Sequence, residues 1–154
     1  MLVSDLLTKV RLRIRDKDSV EYTDNELLGY VNDAILLIGY ELIAMQDAEM
    51  IVDLSLESAS TLKPANFLRF TGALPVMVQG NNLVVYGKLP CITRYFKKPT
   101  LVSTIDETLP FTNEGYNQIM TQIVSMIALN RNEFDVSQDK ALIDEVRKLI
   151  STAS

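Results

Sequence analysis

The chain has 154 residues, 47% apolar and 23% charged, which suits one globular domain with a buried core and rules out wholesale disorder. Its formal charge of −5 argues against a protein whose affinity comes from neutralising many phosphates. With no histidine and one cysteine, Cys91, it has no internal disulfide, no Ser/His/Asp triad, and neither the sulfur nor the imidazole ligands zinc prefers.

The N-terminus reaches Asp5 before any apolar stretch of signal length. No uncharged apolar run approaches the roughly 18 residues that span a bilayer. The chain reads as soluble and intracellular. A first helix is predicted over 2–15, with Ser4 or Asp5 near its start and Leu6, Leu7, Val10 and Ile14 at helical spacing. Asp16-Lys17-Asp18-Ser19 is a polar turn. Thr23-Asp24-Asn25-Glu26 then forms a capping box, with Tyr22 placed to staple onto Leu27. The second helix runs to about 46 on a stripe of Leu27, Val31, Ala34, Ile35, Ile38, Leu42 and Met45. Leu28, Leu36, Leu37 and Ile43 widen that stripe beyond one face, so more than one surface must cover it. Gly29 and Gly39 each cost about 1 kcal/mol in a helix interior, which close approach of another backbone would justify.

The period then changes. Residues 50–56 suit a strand, Lys63-Pro64-Ala65-Asn66 breaks the pattern, and 67–70 is a short apolar piece. Residues 76–79 and 83–86 flank Gly80-Asn81-Asn82 as a β-hairpin. Residues 92–96 form a further strand, ended by Lys97-Lys98-Pro99 and read as a charge-protected edge. Cys91, just before it, reads as a small buried apolar residue. After a loop around Leu109-Pro110-Phe111, a third helix starts past Thr112 or Asn113 and runs to about 130. Asp135 and Gln138 resemble a second cap, before a fourth helix over 137–150. The fold class expected is α+β, mainly α. A four-helix bundle-like core carries a small antiparallel β excursion between helix two and helix three. The division is a helical pair at 1–47, a β region at 50–99 and a helical pair at 113–151, within one domain.

Little here carries chemistry. The six glycines form neither a P-loop nor a GxGxxG pattern. The carboxylate pairs Asp16/Asp18, Asp106/Glu107 and Asp144/Glu145 read as solvated turn and helix residues rather than a metal site. No catalytic residue, metal or cofactor is expected. Arg11 and Arg15 share a helix face and suit dipole stabilisation, subunit salt bridges or a row of phosphate contacts. Arg94, Lys97 and Lys98, with Tyr95 and Phe96, could instead form a nucleic-acid surface. Charge is also segregated. Residues 1–50 hold five basic and ten acidic side chains, residues 51–100 six and two, and residues 101–154 four and eight. That order can draw subunits together head to tail.

Several of these pieces together resemble a known family. They are Leu6-Leu7-x-x-Val10-Arg11-x-Arg13, Asp16, Tyr22-Thr23-Asp24-x-Glu26-Leu27-Leu28 and Tyr30-Val31-Asn32-Asp33-Ala34. They continue with Lys63-Pro64-x-Asn66-Phe67, Tyr95-Phe96-Lys97-Lys98-Pro99 and Leu109-Pro110-Phe111. In this order they resemble the head-to-tail connector, or adaptor, proteins of tailed bacteriophages. The resemblance implies a structural virion protein at the neck, assembled in the host cytoplasm. It implies a ring of about twelve copies beneath the portal protein, joined to a downstream tail or stopper protein. DNA would pass through the channel without specific binding, and no membrane is involved. Leu28, Leu36, Leu37, Arg11 and Arg15 are the expected interface residues. The alternative is a small nucleic-acid-binding module using the basic and aromatic residues of the β region.

Overall fold

The computed structural model describes residues 1–131 and 140–153. Among them the chain forms four α-helices and six strands, and it divides into two compact units. One unit is Met1–Leu42 with Thr100–Ser154; the other is Ile43–Pro99.

The helical unit begins with α1, Val3–Ile14, whose buried stripe is Val3, Leu6, Leu7, Val10 and Ile14. No side chain caps its start. Backbone from the segment before the third helix satisfies the orphan donors instead: Val3 N–H donates to Glu107 O and Ser4 N–H to Ile105 O, both at 2.9 Å. Leu2 bridges Thr108, and Leu109 N–H donates to Met1 O at 2.9 Å. Helix α2, Asp24–Ala44, follows the Thr23 cap, whose hydroxyl accepts the Glu26 N–H at 3.1 Å. It buries Leu27, Val31, Ala34, Ile35, Ile38 and Leu42. Helix α3, Glu114–Leu129, is capped by Asn113 and buries Tyr116, Met120, Ile123, Val124 and Ile127. Its backbone lies close to α1 and to α4, Lys140–Ala153. The expected cap at Asp135 and Gln138 and the first residues of the expected fourth helix lie outside the described residues.

The β unit holds β1, Ile51–Leu56; β2, Ser60–Leu62; β3, Phe67–Phe70; β4, Val76–Gln79; β5, Asn82–Val85; and β6, Cys91–Lys97. They make two three-stranded antiparallel sheets, ordered β1–β6–β3 and β2–β5–β4. The β4–β5 hairpin turns at Gly80 with φ +59°, a conformation glycine reaches without strain. The two sheets share one core of Leu56, Phe67, Val76, Leu83, Val85, Cys91 and Tyr95.

The four-helix bundle is therefore overturned. The strands do lie between α2 and α3, but they are not an excursion: they have a core of their own. Nor is the helical unit made of helices alone. Val102, Leu109 and Phe111 of the loop before α3 are buried in it, where a bundle would use helix side chains. The strand expected at an edge is also corrected, because β6 is the central strand of its sheet.

Candidate functional site: the α1–α2 turn and the outer face of α2

Arg11 looks like a surface helix residue in the sequence, yet its side chain is buried. One terminal nitrogen donates to Asp16 Oδ2 at 2.6 Å and to the Tyr22 carbonyl at 2.9 Å; the other donates to Asp24 Oδ1 at 2.6 Å. Asp16 is buried too. Its carboxylate accepts the N–H groups of Val20, Glu21 and Tyr22 at 2.8, 3.0 and 3.2 Å. These backbone bonds, the one from Glu21 foremost, together with Arg11 hold the Asp16 pKa below the ordinary carboxylate value in spite of burial. The turn expected to be a solvated loop is thus cross-braced from inside. Arg15 does not share the Arg11 face. It leaves the helix in a left-handed conformation, φ +63°, and is exposed, whereas Arg11 is buried, so the two do not make one surface row. An open depression of about 450 Å³ beside Arg11 is lined by Ser4, Leu7, Thr8, Leu12, Lys17 and Ile105.

A second set of bonds fixes α2 within its unit. The Asn32 side-chain amide donates to Val102 O, and its carbonyl accepts the Val102 N–H, both at 2.9 Å. Arg147 of α4 grips Glu41 at 2.7 and 3.3 Å. Tyr22 OH donates to Ala128 O at 3.1 Å, and the Arg131 guanidinium lies 4.2 Å over the Tyr22 ring. Arg131 also reaches Glu26 at 3.2 Å, and Glu26 accepts the Tyr30 hydroxyl at 2.9 Å instead of turning back to Thr23, so only half of the capping box forms. Burial, then the Glu26 carboxylate, pushes the Tyr30 phenol up to about 12.

Part of α2 lies outside its buried stripe: Leu28, Leu36 and Leu37 are half-buried and Tyr40 is 50% exposed. Met45, expected on the stripe, lies past the helix end and is 47% exposed. Gly29 is exposed, and a side chain there would meet nothing within 4 Å, so no backbone among the described residues explains the glycine. Asp33 is half-buried among these residues, and desolvation raises its pKa. By length and mean hydropathy, α2 alone among the described helices could cross a membrane, but it carries a buried stripe and its Asn32 and Glu41 side chains bond it to the rest of this unit.

The basic and aromatic residues of the β unit are not brought together as a stacking surface. Arg94 clasps Asp53 at 2.6 and 3.3 Å. Tyr95 is buried with its hydroxyl on Asn66 at 2.9 Å, and Phe96 is buried beneath the Arg69 guanidinium at 5.2 Å. Lys97 is half-buried and Lys98 exposed. The carboxylate pairs do not converge either: Glu107 accepts the Ser103 and Thr104 N–H groups at 2.9 Å, and among the described residues no three metal-ligating side chains cluster. Cys91 is buried in the β core, as its apolar reading requires. Sequence reasoning names Asp16, Asp24 and Asn32 within the family resemblance but misses the bonds they make. The one available signal was a lone arginine on the apolar side of α1, five residues ahead of a turn aspartate.

Compared with known proteins, the chain matches no family model, and no curated protein shows significant similarity to it.

Proposed function

We propose that this protein is a non-catalytic structural adaptor of a tailed-phage virion neck, a ring that joins the portal vertex to the tail around the DNA exit channel. The observation that carries the reading is the Arg11 network. Arg11, Asp16, Tyr22 and Asp24, four of the residues on which the family resemblance rests, meet in one hydrogen-bonded constellation, buried at Arg11, Asp16 and Tyr22 and exposed at Asp24, that ties the end of α1 to the start of α2. Such a motif serves shape, not chemistry. The apolar outer face of α2, with Leu28, Leu36 and Leu37, is the surface this rigid corner presents to a partner. An acidic chain also suits a channel through which DNA slides, because like charge weakens the phosphate attraction.

The test is to mix the full chain with the portal protein of the same virus and measure mass by light scattering. A portal-bound ring is expected. Substituting Leu36→Gln with Leu37→Gln should weaken docking while circular dichroism stays unchanged. No association at micromolar concentration would defeat the reading. The nucleic-acid alternative makes the opposite prediction, salt-sensitive binding to DNA by the free chain.

A further inference from the structure

The two sheets treat their edges differently. The edge strands of the first sheet carry charge, Asp53 on β1 and Arg69 on β3, the usual defence against unwanted pairing. The second sheet has edges β2, Ser-Thr-Leu, and β4, Val-Met-Val-Gln, without one charged residue; β5 between them has none either. Its apolar side chains are also uncovered: Leu62 is 73% exposed, Met77 51% and Val78 46%. Val78 shares the face of the buried Val76, yet it lies open where a further strand would cover it.

The hydrogen-bond phase says what each edge offers. Tyr86 N–H donates to Pro75 O, so by alternation Met77 and Gln79 bond to β5, and the backbone groups of Val76 and Val78 point outward. On the other side Val85 N–H donates to Ala59 O and Lys63 N–H to Asn81 O, so Thr61 bonds to β5 and Ser60 and Leu62 point outward. Each edge presents two residues spaced by one. Because β2 and β4 are both antiparallel to β5, they run parallel to each other. A second copy in similar orientation can therefore lay its β2 beside β4. Thr61 of that copy then falls opposite Val78, on the same face of a continuous sheet.

We propose that β4 of one copy pairs in parallel with β2 of the next, so that the β2–β5–β4 sheets join head to tail. The proposal rests on the adaptor reading, and it names the contact between neighbours in the ring. A heterologous contact of this kind propagates, whereas a two-fold contact would stop at a dimer.

Disulfide trapping in the full chain tests it. Neighbouring strands lie about 4.8 Å apart, within the span a disulfide bridges. With Cys91→Ala as background, Thr61→Cys combined with Val78→Cys should give a ladder of covalent multimers on oxidation at concentrations where the wild type assembles. Dimers from Val78→Cys alone, without a ladder from the pair, would overturn head-to-tail pairing in favour of a two-fold one. Val78→Pro removes an outward N–H and no bond to β5, and Val78→Lys supplies the missing charge. Each should raise the concentration needed for assembly by about tenfold or more. A wild type that assembles, with no ladder and no effect of either Val78 variant, overturns the β pairing and leaves the adaptor reading standing. A wild type that stays monomeric at every concentration and on the portal overturns both.

Discussion

Arg11 shows how much one side chain can organise. Its guanidinium joins the end of α1, the turn and the start of α2. Arg11→Ala leaves the Asp16 carboxylate without its cation, and should lower the midpoint of urea unfolding. Arg11→Lys should not rescue it, because an ammonium cannot serve three oxygens in that planar arrangement. Asp16 and Asp33 should respond to pH in opposite senses. The fold favours the Asp16 carboxylate, so its stabilisation is present above the ordinary carboxylate range and is lost as pH falls through the depressed folded value. Burial disfavours the Asp33 carboxylate, so its penalty is present at neutral pH and is relieved as pH falls through the raised value. At pH 7, Asp16→Asn should lower the melting temperature and Asp33→Asn raise it. At the alkaline end, Tyr30 stays protonated up to about 12 in the fold while the unfolded chain ionises near 10.0, so stability should fall as pH rises between those values. None of these roles was legible in the sequence. Spacing shows which residues share a helix face, but not which turn folds back to accept from them.

Elements were more legible, because caps and periods are local. The Thr23 and Asn113 starts, the Gly80 turn and the span of β6 follow from the residues at hand. Strand β2 was missed, since Ser60-Thr61-Leu62 is too short to show alternation and forms only by pairing with β5. The position of β6 in its sheet was misread because neighbours in a sheet are set by long-range pairing; β1 and β3 approach from far along the chain. The glycines divide in the same way. Gly29 has helical geometry and open space, so Gly29→Ala should stabilise the isolated chain by about 1 kcal/mol. Gly115→Ala should destabilise it, because the added carbon would come within 2.8 Å of the Ala153 carbonyl. Thermal melts of the two variants should shift in opposite directions.

At the scale of the molecule, the bundle expectation failed on the loop before α3 and on the β core. A loop with Val102, Leu109 and Phe111 reads as a connection, yet those side chains are buried like helix residues. Seven buried residues scattered over 56–95 look like a minor excursion until two sheets close on them. The chain has no tryptophan, and each unit carries its own buried tyrosine: Tyr95 in the β core, and Tyr22 and Tyr116 in the helical unit. Optical spectroscopy thus has built-in colourless dyes in both compartments, one in the β core and two in the helical unit. Difference spectra of the wild type and Tyr95→Phe during a melt should isolate the β compartment's signal, and a midpoint distinct from the remaining tyrosine signal would reveal two melting steps where a single trace records one.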